Sequence, residues 1–382
     1  MLLRWKFLSP HPLFHLKILA DSPSRLIILL SISHKHQRAV HSCTMTTEFS
    51  LKPLFDPQYG IKRLKLLRTI AISSSKGMRT RLVHDETSGE YYALKIARKR
   101  DICDGHRIEQ VRSSLFVISR LRCPFAQNFF SFFQDEVSLY YLYEFIPGGG
   151  TYFLLLIEIA DSSELFSYLR IKSSLSSDTT KFFVLEISSA LMSIQKYKII
   201  LRSLMPETIC LTIEGHIRLC DFDFAKTLFD SPGRAYTICG SPEYVAPEVI
   251  KSLGSGPAVD WWALGVLLFE MLTGRTPFVA ETPYRVYQNI EQARVAFPKD
   301  MAKADAGLVG DLLNVSEASR PGAGGEESLR RHPYFRGVDW YTVGRELLEP
   351  GIKPFAVERG GRLISVTIPE VDIMMWYRCF KF

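Results

Sequence analysis

The chain is short of the features that mark secreted, membrane-spanning or nucleic-acid-binding proteins. Its seven cysteines, at positions 43, 103, 123, 210, 220, 239 and 379, are odd in number, widely spaced and never arranged as Cys-x-x-Cys. That spacing argues against a disulfide framework and against a zinc site. A reducing compartment is the default for such a chain, so a cytoplasmic or nuclear location is expected. The longest apolar run of the first fifty residues, "LIILLSIS", falls far short of the about 20 residues that cross a bilayer, and no membrane span is expected. The net charge of +7 comes from basic residues spread along the chain, a mild excess that gives no reason to expect a nucleic-acid partner.

What is present suits a packed globular protein. The 47% hydrophobic content supports a real core, and 382 residues suit two lobes, or one large domain with tails. Residues 1–50 are basic, contain serines and carry no acid between Asp21 and Glu48. These are traits of a targeting peptide, although Pro10, Pro12 and Pro23 interrupt any long amphipathic helix. The segment reads as targeting-like or as a disordered extension, with Met45 a second candidate start.

From Leu51 the pattern becomes regular. "TRLV" and "EYYALKI", joined by a Thr-Ser-Gly turn, read as a hairpin. The apolar stripe 108, 111, 115, 118 predicts a helix, and "NFFSFFQDEVSLYYLYEFI" returns to strands before Pro147 and three glycines end them. Beyond, "TTKFFVLEISSALMSIQKY" and "AVDWWALGVLLFEMLTG" carry the helical period, the second capped at Gly274. Strands first and helices afterwards predict an α+β fold with a small β-rich lobe and a larger helical one.

Four segments, "YYALKI", "LCDFDFAK", "YTICGSPEYVAPEVI" and "AVDWWALGVLLFEMLTGRTPF", occur in the order and at the spacing of one family. From Phe55 to about Phe355 the chain resembles eukaryotic Ser/Thr protein kinases of the AGC group, most of all the catalytic subunits of cAMP-dependent protein kinases. The resemblance implies a bilobal kinase-like domain over 51–355, with an N-lobe at 51–146 and a C-lobe at 164–355. An inserted apolar segment at 150–163 and a divergent tail at 356–382 depart from the family plan. ATP and Mg²⁺ are the implied cofactors. Phosphoryl transfer demands positioning and charge neutralisation rather than covalent work by the protein, so each motif must supply a particular charge or backbone shape.

Several do not. Counted back from Lys95, the glycines that let backbone N–H groups approach the phosphates fall on Ser73, Ser75 and Met78, with Gly77 one residue out of register. Lys95 matches the phosphate-binding lysine, but its glutamate partner is replaced by Ser114, and Glu109 lies too far round the helix. Ser203 stands where the catalytic aspartate is expected, Met205 replaces the lysine that would neutralise the γ-phosphate, and Thr208 replaces the asparagine that would hold the second metal ion. Asp221 keeps its metal-ligand identity, while Asp223 replaces a glycine. Glu144, Ile146 and Glu164 match nucleotide-binding positions, so weak ATP binding is expected.

The remaining plan is intact. Thr237 occupies the activation-loop phosphorylation position, with Arg202 and Lys226 matching the cations that clamp its phosphate. Glu248 and Arg320 match a buried ion pair, and Asp260 the acid that ties down the catalytic loop. Trp261 and Trp262 read as core. Glu207, Tyr236, Glu270, Tyr287 and the Pro-Phe at 277–278 match positions that dock substrates or regulatory subunits. The combined expectation is a pseudokinase with a regulatory or scaffolding role and protein partners, such as a regulatory-subunit-like inhibitor or an upstream kinase acting on Thr237. The alternative is an active Ser/Thr kinase.

Overall fold

A computed structural model describes residues 61–73, 77–105, 107–146, 164–212, 215–229, 233–340 and 343, and the backbone of 15–22, 25–31, 356–359 and 362–365. Ser75, the 150–163 insertion and most of the 356–382 tail lie outside the described residues. In the 1–50 extension, β1 (His15–Ser22) pairs antiparallel with β2 (Arg25–Ser31). Two compact units follow from the chain's contacts. One takes residues up to Arg112 together with Asn128–Phe145, and the other takes Ser113–Gln127 and everything from Ile146 onward.

The first unit is an antiparallel sheet. Its strands are β3 (Leu64–Ser73), β4 (Met78–Asp85), β5 (Tyr91–Arg98), β6 (Phe129–Gln134) and β7 (Ser138–Glu144), in the order β3-β4-β5-β7-β6. The β4–β5 turn is closed from within: Asp85 accepts hydrogen bonds from Thr87 N (2.9 Å) and Ser88 Oγ (3.0 Å), and Gly89 adopts φ 74°. The same buried carboxylate accepts from Arg63 Nε at 2.7 Å. That guanidinium holds Asp85 well below the usual carboxylate range. Strand alternation sorts the sheet into two faces. One buries Val83, Tyr92, Leu94, Tyr140 and Leu142 with Leu64, each aliphatic or aromatic side chain contributing roughly 1.5–3 kcal/mol of transfer free energy. The other carries the row Thr80, Lys95 and Tyr141. Helix α1 (Lys99–Asp104) follows β5, and α2 (Ile108–Arg120) spans the boundary between the units.

The second unit is mainly helical. Helices α3 (Leu165–Lys172) and α4 (Ser177–Lys196) precede four short strands, β8 (Ile199–Ile200), β9 (Ile209–Leu211), β10 (Ile217–Leu219) and β11 (Lys226–Thr227). They are followed by α5 (Pro247–Ile250), α6 (Ala258–Thr273), α7 (Pro283–Glu291), α8 (Lys303–Leu312) and α9 (Glu326–Arg330). Helix α6 is buried almost all round, as its apolar run from Trp261 to Phe269 requires, and packs on α4 and α8. It ends at Gly274, whose left-handed φ of 75° closes the last turn. Trp261 and Trp262 are core residues. Phe278, expected on a docking surface, is fully buried and stacks on Trp262 with ring centroids 5.5 Å apart. Its ring fills the core instead. Among the described residues no helix is long and apolar enough to cross a membrane.

Candidate active site

In the first unit the sheet presents Lys95 from β5, directly opposite Thr80 on β4 and Tyr141 on β7. Ser73 closes β3 opposite Met78. Gly77 adopts φ 61°, and a Cβ there would lie 2.6 Å from Asp101 Oδ2. The positive φ suits a glycine here, whereas the Asp101 side-chain tip could move aside. Glu109 is paired along its helix with Arg112 at 3.6 Å, and Ser114, at the position of the expected glutamate, is buried. The carboxylate of Glu144 accepts from Asn128 N (3.1 Å) and Nδ2 (2.9 Å).

In the second unit the loop from Leu201 to Thr208 is suspended from α6. Asp260 accepts hydrogen bonds from the backbone N–H of Leu201 and of Arg202, both at 2.9 Å. Burial pushes its carboxyl up to about 6, a rise that these two donors restrain. The grip is needed because Arg202 has φ 61°, a left-handed conformation that costs a non-glycine residue roughly 1–2 kcal/mol. The Arg202 guanidinium then bridges two segments, donating from Nε to the Phe224 carbonyl and from Nη1 to the Thr237 carbonyl, each at 3.0 Å. Lys226 pairs with Ile200 across β11 and β8, two residues before Arg202. Thr237 itself is exposed, beside Tyr236 at 60% exposure.

The hydroxyls that replace the expected chemistry face inward. Ser203 is only 5% exposed, and its Oγ donates to the Asp221 carbonyl at 3.1 Å. Thr208 is buried as well. Its Oγ1 accepts from Met205 N at 3.2 Å and lies 2.7 Å from the Ser203 carbonyl, to which it donates. Thr208 fastens the loop to itself, and Ser203 fastens it to the segment at Asp221. Asp221 Oδ1 accepts from Asp223 N at 3.0 Å, and Asp223 is buried. Among the described residues no group of three or more His, Cys, Asp or Glu is placed to hold a metal ion. For Mg²⁺, Asp221 offers one carboxylate, whereas Thr208 offers a hydroxyl already committed to the backbone. The hairpin before Asp221 is fixed from α4, where buried Glu186 accepts from Ile217 N at 2.9 Å and lies 2.5 Å from His216 Nδ1.

A second polar cluster lies on the same unit. Tyr244 donates to Glu270, and Thr276 Oγ1 donates to Glu243 at 2.6 Å. Burial raises the Glu270 carboxyl, the Tyr244 hydrogen bond opposes this, the charges of Glu207 and Glu243 raise it further, and Arg170 adds a smaller opposing pull. Glu207 is exposed and Tyr287 half-buried. Of this cluster the resemblance pointed to Glu207 and Glu270 alone; Glu243, in the Pro-Glu-Tyr of "GSPEYVAPE", and Arg170 are brought beside them by the fold. Behind the cluster, Arg320 donates from Nη1 and Nη2 to the two carboxylate oxygens of Glu248, both at 2.7 Å and fully buried.

The protein kinase domain family matches residues 76–335, and the chain belongs to that family. Members use ATP and Mg²⁺. Its similarity runs to AGC-like Ser/Thr kinases. The human cAMP-dependent protein kinase catalytic subunit PRKX is 37% identical over 318 residues, covering 83% of this chain and 84% of that one. The mouse protein of that name is 39% identical over 297 residues, 77% and 79% of the two chains. A Caenorhabditis elegans cAMP-dependent protein kinase, catalytic subunit-like, is 36% identical over 292 residues, 76% and 69% of the two chains.

Proposed function

We propose that this kinase of the cAMP-dependent catalytic-subunit type is impaired in phosphoryl transfer and acts as a regulated binding partner of other proteins through its 51–355 domain. The observation that carries the reading is the Ser203 hydroxyl, buried and donating to the Asp221 carbonyl. A general base must accept a proton from the substrate hydroxyl, and its loss typically forfeits about 10²–10⁴-fold in rate. Met205 and Thr208 add no charge where the reaction builds it. Lys95 is the candidate cation for nucleotide phosphates and Asp221 the candidate Mg²⁺ ligand, which supports weak, metal-sensitive ATP binding. A thermal-shift titration tests this, and a dissociation constant below about 1 μM would overturn it.

The binding role rests on Thr237. Phosphate there would add nearly two negative charges beside Arg202, whose guanidinium already reaches the Thr237 carbonyl, and order the loop that presents Tyr236. The acids Glu207, Glu243 and Glu270 favour a partner with a basic segment, such as a regulatory-subunit-like inhibitor. Partner recovery should be strong with Thr237-phosphorylated wild type and fall at least tenfold with Thr237→Ala and with Arg202→Ala. Equal recovery from all three would sink the reading. A second reading, an active Ser/Thr kinase, is favoured by the retention of Lys95, Asp221 and the acidic cluster. Transfer of phosphate by purified wild type to a basic peptide, at a rate Ser203→Asp does not improve, would establish it.

A further inference from the structure

One end of the first unit's sheet carries a cavity of about 330 Å³ whose wall includes Arg79, Arg81, Arg98 and Asp101 over Ile72 and Ile96. Register explains the convergence. Arg79 lies opposite Ile72 on β3 and Ile96 on β5, Arg81 opposite Thr69 and Leu94, and Arg98 opposite Ser138. Alternation puts all three arginines on the face that further along buries Val83 and Leu142. That face therefore changes along its length from apolar core to cationic wall.

The charge of this wall is poorly compensated by the protein. Arg63, on the same unit, is paired with buried Asp85, but among the described residues Arg79, Arg81 and Arg98 form no ion pair. Arg81 is held by a hydrogen bond to the Leu67 carbonyl, and its Nε is buried without an acceptor. This tether fixes one guanidinium, while Arg79 and Arg98 remain exposed. Three cations against the single acid Asp101 leave two net positive charges at the cavity.

We propose that the cavity binds a phosphate monoester, with Arg79, Arg81 and Arg98 facing the phosphate and Asp101 accepting a hydrogen bond from a donor on the ligand's body. A phosphate dianion matches the net charge, and guanidinium groups suit its oxygens through paired N–H donors. The volume falls at the lower end of the roughly 300–1,000 Å³ of small-molecule sites. It leaves space for a small organic body over Ile72 and Ile96, beyond a bare phosphate.

Calorimetric titration of the full chain with O-phospho-L-serine, L-serine, inorganic phosphate and the tripeptide acetyl-Gly-phosphoSer-Gly-amide tests the assignment. Binding of O-phospho-L-serine should weaken at least tenfold in Arg79→Gln/Arg98→Gln, whose exposed positions leave the melting temperature unchanged, and L-serine should not bind. Arg81→Lys, which keeps the charge but loses the planar donor pair, should weaken it several-fold. Tripeptide binding at least as tight as that of the free amino acid assigns the phosphate to a protein segment, and the reverse order assigns it to a small molecule. Absence of binding to wild type, equal binding to the double variant, equal binding of L-serine, or a loss that follows Arg202→Ala instead would each overturn the proposal. Inorganic phosphate binding with the same arginine dependence supports it.

Discussion

The second unit contains two kinds of buried polar group. Asp260 and the Glu248–Arg320 pair are charged groups doing structural work, holding the loop at Leu201 and Arg202 and joining α5 to the segment after α8. Ser203 and Thr208 are neutral groups at positions where the resemblance implies an acid and an amide, and each hydroxyl is satisfied by backbone, Thr208 within its own loop and Ser203 at the Asp221 carbonyl. The difference shows that the loop's shape and the loop's chemistry are separable. Shape depends on Asp260 and Arg202, whereas a short hydroxyl can replace a functional group provided its own hydrogen bonds close.

If the frame carries the shape, damage there should be the most costly. Arg320→Ala leaves Glu248 buried without its partner and should lower stability by about 3–5 kcal/mol in urea denaturation. A loss below about 1 kcal/mol would mean that the frame is dispensable. Restoring the chemistry should leave shape alone: Ser203→Asp/Met205→Lys/Thr208→Asn is expected to raise phosphate transfer to a basic peptide by about 10²-fold or more. Equal rates in wild type and triple variant would dissolve the contrast.

Asp260 gives a prediction in pH. Burial raises its folded pKa to about 6 from the usual 3.8 of an aspartate, so the folded state takes up its proton more readily than the unfolded chain. That contribution is fully present below the unfolded value and is lost as pH rises through the folded one, for a total of roughly 3 kcal/mol. The stability of wild type relative to Asp260→Asn should therefore fall, by up to roughly 3 kcal/mol, as pH rises from about 4 to about 7. A flat difference would contradict it. The smallest effect is expected from Thr208→Val, which keeps the volume but removes the hydroxyl shared by Ser203 and Met205. Its cost should be about 1–2 kcal/mol in the same denaturation assay, with no change in peptide phosphorylation.

The kinase-type architecture is legible in the sequence because its strands and helices announce themselves locally. The turn at Gly89, the stripe of α2, the apolar continuity of α6 and its Gly274 stop are all short-range signals. The residues at 203, 205 and 208 are read directly, and the resemblance sets them against an acid, a lysine and an asparagine. Where the replacing groups go is not, since Ser203 reaches a carbonyl 18 residues away and Glu186 a histidine 30 residues away. The arginines at 79, 81 and 98 look dispersed along the chain, and only the strand register gathers them at one wall. Long-range pairing, which local patterning does not encode, separates what could be read from what could not.

Position 202 carries two demands that no single amino acid meets well. Its backbone, at φ 61° with the carbonyl 3.0 Å from where a Cβ on Gly240 would sit, is the geometry glycine adopts without cost. Its side chain must be a long planar cation able to span from the Phe224 carbonyl to the Thr237 carbonyl. Glycine would relax the bend and cut the bridge, while lysine would keep the bend and lose one of its two anchors. Such a residue has almost no neighbouring substitutions open to it. An arginine held in an unfavourable conformation by Asp260 is therefore a mechanical joint between the segments at Phe224 and Thr237.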